Sequence, residues 1–149
     1  MIMEYRVLLS FLLLFVSASI YSQHDELTGS WKGILTQEQG GYRPTYEFEL
    51  YLQREGDELT GRSYVKVDDI FAEMELVGEI IDNTTVKFRE TKIVNNRKED
   101  GLEWCFKQGA LQLKQEGKMW KLTGIWVGKS SIGDCIPGKI YLTKEIPRA

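Results

Sequence analysis

Apolar and polar residues alternate with a period of two along most of the chain, and few segments have helical periodicity. In residues 45–54, for example, Tyr46, Phe48, Leu50 and Leu52 occupy alternate positions. The alternation predicts eight strands, at about 30–37, 45–54, 59–67, 72–82, 85–94, 102–115, 119–128 and 139–145. The sequence therefore predicts an all-β protein.

The connections between these strands fall into two groups that alternate along the chain. Short turns follow the second, fourth and sixth strands, at residues 55–58, 82–84 and 116–118. Mostly longer loops follow the first, third, fifth and seventh strands, at residues 38–44, 68–71, 95–101 and 129–137. An antiparallel up-and-down barrel would gather the short turns at one end, the tight-turn end, and the longer loops at the other, the long-loop end.

The tripeptide Leu-Thr-Gly occurs three times, at residues 27–29, 59–61 and 122–124. In the predicted barrel all three copies lie at the tight-turn end. A glycine there allows close backbone approach and lets the strand bend, so Gly29, Gly61 and Gly124 are predicted to make room where strands converge. The alternative is that each glycine only relieves a turn.

Charged residues on the predicted outer faces support pairing in sequence order. Acidic residues of the second and fourth strands, such as Glu47 and Glu75, alternate with basic residues of the third and fifth, such as Lys66 and Arg89. Opposite charges on neighbouring strands stabilise a sheet. In the sixth strand the apolar phase changes after Phe106, which predicts a β-bulge at Gln108 and Gly109.

The first 22 residues have the features of a secretory signal peptide. An apolar run over residues 7–20 follows a short polar start, and Ser22 and Gln23 form a plausible cleavage point. The run is shorter than the roughly 20 residues of a membrane-spanning helix, although an uncleaved anchor is the alternative. We therefore predict a signal peptide at 1–22, a single domain at 23–149, and a secreted or periplasmic location with no membrane span after cleavage.

Both cysteines, Cys105 and Cys135, belong to the predicted domain and fall at the long-loop end of the barrel. Exported proteins meet oxidising conditions, so a disulfide bond is predicted. In the chain-entropy model such a bond contributes on the order of 3–4 kcal/mol. The alternative is a pair of buried thiols.

Gly29, Ser30 and Trp31 resemble the Gly-x-Trp signature of lipocalins, and the repeated Leu-Thr-Gly with Trp120 and Trp126 is similar to the avidin family. The likeness is architectural, covers the whole predicted domain, and is greatest to secreted bacterial lipocalin-like domains of unknown role. It implies a calycin-type eight-stranded β-barrel with an open mouth. Two features differ from these families. Typical lipocalins have a helix after the last strand, whereas none is predicted here, and no residues correspond to the biotin contacts of avidin.

Catalysis and nucleic-acid binding are disfavoured by composition. The only histidine, His24, lies beside the predicted cleavage point, which argues against histidine-dependent nucleophiles and multi-histidine metal sites. A formal net charge of −3 without a basic run argues against nucleic acid. We expect no catalytic residues, no metal, no cofactor and no enzyme activity.

The inner faces of the strands suggest a ligand-binding site. Ser63, Glu90 and Lys92 are predicted to be polar exceptions on a mostly apolar inner face, with Gln37 near the mouth. Glu90 needs a partner if buried, and Lys92 is the expected one. The hypothesis is that a small apolar or amphipathic molecule is held by Trp31, Phe48, Leu50, Ser63, Met74, Phe88, Glu90, Trp104 and Trp126.

The alternative is a protein-interaction module whose barrel interior is filled. Such a module would dock onto a protein of the cell envelope or surface through its long-loop end. The residues predicted at that rim are Tyr42, Arg43, Pro44, Asp69, Phe71, Asn96, Arg97 and Trp104. A cavity of several hundred Å³ would favour the binding protein over this module.

Overall fold

The computed structural model describes residues 25–147, and these form nine β-strands and no helix. The predicted signal peptide at 1–22, like His24, lies outside the described residues. The strands are β1 Gly29–Thr36, β2 Thr45–Glu55, β3 Glu58–Val67, β4 Ile70–Ile81, β5 Thr85–Arg97, β6 Phe106–Glu116, β7 Met119–Ser130, β8 Gly133–Asp134 and β9 Gly138–Lys144.

Eight of these strands close into an antiparallel barrel. Each strand from β1 to β7 pairs with the next along the chain, and β9 pairs with both β7 and β1, which closes the ring. The two-residue strand β8 pairs only with the end of β7. The predicted fold class, an eight-stranded up-and-down barrel, is therefore confirmed.

The turns divide between the two ends as predicted. At the tight-turn end, Gly56 and Gly117 have φ of 61°, and Asp82 and Asn83 have φ of 50° and 66°. These left-handed conformations suit glycine, asparagine and aspartate, which explains the choice of turn residues. At the long-loop end, residues 37–44, 98–105 and 131–137 connect strands, whereas the β3–β4 connection is reduced to residues 68–69.

The second and third Leu-Thr-Gly repeats mark places where neighbouring backbones approach closely, whereas at Gly29 the nearest atom to an added Cβ would be Cε of the Lys144 side chain, at 3.4 Å. A Cβ on Gly61 would lie 1.9 Å from the carbonyl oxygen of Tyr51, and one on Gly124 would lie 2.1 Å from that of Ala110. The leucines of the repeats, Leu27, Leu59 and Leu122, are buried in the core. The second and third repeats therefore combine close strand approach with core filling.

Opposite charges do face each other across strands. Glu47 is paired in register with Lys66 on β3, and Arg62 forms an ion pair with Glu73 on β4 at 2.8 Å. Both pairs lie on the outer surface, where each contributes little singly. Their arrangement agrees with the predicted pairing in sequence order.

The predicted sixth strand needs correction. Residues 102–105 lie outside the strand, β6 begins at Phe106, and its register with β7 continues without interruption to Glu116. The predicted bulge at Gln108 and Gly109 is therefore wrong. Because β6 keeps one phase throughout, Phe106 lies on the outer face with 37% exposure and Lys107 is buried.

Bulges occur in β5 instead. Its register with β4 shifts twice, which leaves Thr91 and Val94 without Cα partners on β4. The irregularity at Thr91 puts Glu90 on the inner face and Lys92 on the outer face, since the alternation of side chains changes phase at an extra residue. The prediction that Lys92 is internal is therefore wrong.

Candidate functional site

A cavity of about 290 Å³ lies at the long-loop end of the barrel. Strands contribute its inner wall through alternate side chains that include Leu35, Val65 and Trp126. The loops that follow β5 and β8 contribute its outer wall, through Leu102, Trp104 and Ile136 among others. The result is a mainly apolar recess that is bounded partly by the rigid barrel and partly by loops.

The disulfide bond fixes the loop part of this wall. Cys105 and Cys135 are joined as predicted, with Cα atoms 6.2 Å apart, and both residues line the cavity. The bond ties the loop before β6 to the loop before β9. The position of Trp104, next to Cys105, is therefore tied to the loop before β9.

A buried ion pair lies at the base of the cavity. Nζ of Lys107 is 3.0 Å from Oε2 of Glu90, and the two side chains are only 4% and 0% exposed. The Ser63 hydroxyl donates to Oε1 of Glu90 at 2.5 Å, and the backbone N–H of Lys107 donates to Oε2 at 2.7 Å. These hydrogen bonds offset the cost of removing both charges from water. Lys107 lines the cavity, and Glu90 lies behind it.

Lys107 is the main polar residue that sequence reasoning missed. The signal that could have found it is the single inward phase of residues 107, 109, 111 and 113, whereas the prediction placed Trp104 and Phe106 inward and added a bulge at Gln108 and Gly109. Lys92, the expected partner of Glu90, lies outside. Because of the bulge in β5 and the late start of β6, the partner of Glu90 is Lys107 and not Lys92.

A second polar cluster stabilises one side of the mouth. The Tyr46 hydroxyl donates to Oε1 of Gln37 at 2.7 Å and accepts from the backbone N–H of Arg43 at 3.1 Å. Nε2 of Gln37 donates to the carbonyl oxygen of Ile136 at 3.0 Å, which connects the β1 end to the loop before β9. Burial raises the pKa of the Tyr46 hydroxyl, so this hydroxyl stays protonated and neutral at physiological pH.

Ion pairs hold the outer loops. Lys98 pairs with Glu103 at 2.8 Å and also donates to the carbonyl oxygen of Leu102, and Arg43 pairs with Asp68 at 3.2 Å. The hydrogen bond from Lys98 lowers the pKa of the Glu103 carboxyl. Glu103 therefore stays ionised at neutral pH.

Trp104 carries a buried donor without an acceptor. Its ring lines the cavity, and its indole Nε1 is buried with no hydrogen-bond partner among residues 25–147. The other deeply buried indoles differ, because Nε1 of Trp31 donates to Leu27 and that of Trp126 donates to Thr36, each at 2.9 Å. A buried donor without a partner destabilises the fold and marks a place where an acceptor would be stabilising.

Two of the nine residues predicted to bind ligand, Trp104 and Trp126, line the cavity. The other seven are in the barrel core below it: Trp31, Phe48, Leu50, Met74 and Phe88 pack against each other or their neighbours, and Ser63 and Glu90 belong to the buried polar network. Of the predicted rim residues, Tyr42 and Trp104 line the cavity. The aromatic side chains therefore fill the lower barrel, and the recess lies above them.

Within residues 25–147, no group of three or more histidine, cysteine, aspartate or glutamate side chains is placed to hold a metal ion. That same part of the chain contains no helix with the length and hydropathy needed to cross a membrane. No family model matches the chain, and no curated protein matches it in sequence.

Proposed function

We propose that the protein binds a small apolar or amphipathic molecule in the cavity at the long-loop end, and that it binds without catalysing a reaction. The observation that supports this is the recess of about 290 Å³ with a mainly apolar wall and a polar base formed by Lys107. Ligand sites in proteins commonly combine an apolar surface with a few fixed polar groups.

The volume limits the size of the ligand. It lies at the lower end of the roughly 300–1,000 Å³ that ligand sites usually occupy. At the ~30 Å³ that a water molecule occupies in the liquid, the cavity has the volume of about ten water molecules. Because the core below is filled, a long acyl chain, a retinoid or a haem would not fit within the recess. The proposed ligand is compact.

The proposed location is secreted or periplasmic. The Cys105–Cys135 bond supports it, because disulfides persist in oxidising compartments. The predicted signal peptide at 1–22 is a second, independent reason.

Heteronuclear NMR tests the binding proposal, because the four tryptophans report on different parts of the molecule. We expect a panel of compact uncharged compounds to contain members that shift the indole signals of Trp104 and Trp126 saturably. Trp31 in the core and Trp120 near the tight-turn end lie outside the cavity wall and should move little. Shifts of similar size at all four indoles, or at none across the panel, would contradict the proposal.

The second candidate is a module that docks onto an envelope or surface protein through the long-loop end. The filled lower barrel favours it, as does Ile132, which lies at the cavity wall with 78% of its surface exposed. In that case Ile132→Ser would weaken capture of the partner and leave small-molecule titrations unchanged. The cavity ligand proposal predicts saturable titration with or without Ile132.

A further inference from the structure

Two side-chain acceptors at or behind the cavity wall, Gln37 and Glu90, already have donors. Oε1 of Gln37 accepts from Tyr46, whose own oxygen accepts from Arg43. The carboxylate of Glu90, behind the wall, accepts from Ser63 and twice from Lys107. A ligand that enters the cavity therefore meets few side-chain acceptors that need a donor.

Two donors remain. An ammonium group carries three N–H bonds, and among the described residues Nζ of Lys107 has two hydrogen-bond acceptors, Oε2 of Glu90 and the carbonyl oxygen of Cys105. It also lies 5.7 Å from the centroid of the Phe48 ring, a cation–π contact that occupies no hydrogen-bond acceptor. The indole N–H of Trp104 has no partner in the same part of the chain. Both residues line the cavity, and Cys105 lies between them in sequence.

The charged groups around these donors leave no excess of positive charge. The ammonium of Lys107 is compensated at 3.0 Å by Glu90, and Glu103 and Asp134 add negative charge at the cavity wall. Lys98 offsets Glu103 at 2.8 Å. An anionic ligand would place a second negative charge near Glu90 in a poorly solvated site, where like charges repel strongly.

We infer that the ligand of this cavity is uncharged and carries a carbonyl oxygen, as in a ketone, an ester or an amide, on a compact apolar body. The oxygen accepts from Nζ of Lys107 and from the indole N–H of Trp104. Nε1 of Trp104 is closed off from solvent, so this hydrogen bond requires the ring to turn toward the ligand on binding; Trp104 lies outside the β-strands. This inference rests on the proposed function and adds the chemical class of the ligand.

Three compounds of similar size separate the possibilities: acetophenone, ethylbenzene and benzoate. They share an aromatic body and differ in carrying a neutral acceptor, no acceptor or a charged acceptor. We expect acetophenone to bind at least about tenfold more tightly than ethylbenzene, because it gains one neutral hydrogen bond from Trp104 and one stronger, charge-assisted bond from Lys107. Benzoate should bind more weakly than acetophenone. Calorimetry measures the affinities, and NMR should show the Trp104 indole proton moving downfield with acetophenone alone.

Two variants identify the donors. Trp104→Phe keeps an aromatic ring but lacks the N–H, so it should reduce the ratio of acetophenone affinity to ethylbenzene affinity, both measured on the same variant. Trp120→Phe, outside the cavity, is the matched control and should change neither. Replacing the ion pair with Glu90→Gln and Lys107→Met together should reduce the preference further. If that double variant fails to fold, Trp104→Phe alone still decides.

The outcomes distinguish this inference from the proposed function. Equal affinity for acetophenone and ethylbenzene, with shifts at the Trp104 and Trp126 indoles, would overturn the acceptor assignment and leave a cavity that binds apolar molecules. Tighter binding of benzoate would overturn the claim that the ligand is uncharged. Absence of binding by all three compounds would contradict the inference and the proposed function together.

Discussion

At the scale of single residues, the buried pair of Glu90 and Lys107 carries the greatest energetic consequence. Each charge has left water, and each depends on the other and on neighbouring hydrogen bonds. Removal of one member leaves an uncompensated charge inside the barrel. Removal of both replaces the pair with neutral groups and costs much less.

We therefore predict that Lys107→Met destabilises the protein by about 3–5 kcal/mol. The same substitution at exposed Lys92 is the matched control and should change stability by less than ~0.5 kcal/mol. Adding Glu90→Gln to Lys107→Met should restore part of the loss. Urea denaturation measures the free energies of unfolding. Equal effects of Lys107→Met and Lys92→Met would show that the lysine is not buried against Glu90.

The ion pair of Lys98 and Glu103 gives a prediction for pH. The pKa of Glu103 is lowered in the folded protein. The ionised carboxylate therefore stabilises the fold at pH values above its unfolded pKa of about 4.3, and this stabilisation is lost as the pH falls through the lower folded pKa. We expect Lys98→Met to raise the pKa of Glu103. An NMR titration of the Glu103 carboxyl carbon measures this pKa. An unchanged titration midpoint would contradict the pairing.

At the scale of elements, regular alternation was sufficient to place the strands of the barrel, because inward apolar residues largely alternate with polar outward ones. Most predicted strands agree with those observed to within two or three residues. The exception was the start of β6, where Leu102 and Trp104 continue an apolar alternation but belong to a loop. Those side chains pack at the mouth of the barrel. Their apolar spacing therefore resembles that of a strand although they belong to a loop.

Irregularities of single strands decided the candidate site, and these were not readable from the pattern. The bulge at Thr91 turned Lys92 outward, and the late start of β6 turned Lys107 inward. Either change alone would have altered the partner of Glu90. The disulfide was predictable because both cysteines fall on loops at the same end, whichever residues begin and end the strands.

The disulfide joins two elements of the cavity wall, and we expect its removal to affect both stability and binding. Replacing Cys105 and Cys135 by serine should cost about 3–4 kcal/mol, because it releases a loop between residues 30 positions apart. Ligand affinity should also fall, since the loop that carries Trp104 is no longer linked to the loop before β9. Denaturation and titration of this variant beside the oxidised protein measure both effects. Unchanged stability would contradict a structural role for the bond.

At the scale of the whole molecule, the barrel divides into two parts. The tight-turn end and centre are filled by Trp31, Phe48, Met74 and their neighbours, which give a rigid base. The long-loop end keeps a recess with Lys107 at its base and the disulfide-linked loops at its side. The proposed recognition site thus lies at the end opposite the filled core, as is common where loops extend from a rigid scaffold.

The central claim is that the recess at the long-loop end is the ligand site, and a pair of matched substitutions tests it most directly. Val65→Phe adds bulk to the cavity wall, whereas Val94→Phe adds the same bulk on the exposed outer surface of β5. The measurement is the calorimetric affinity of both folded variants for acetophenone. We predict that Val65→Phe weakens binding at least about tenfold, or ~1.4 kcal/mol, and that Val94→Phe leaves it unchanged. Equal affinities of the two variants would contradict the claim.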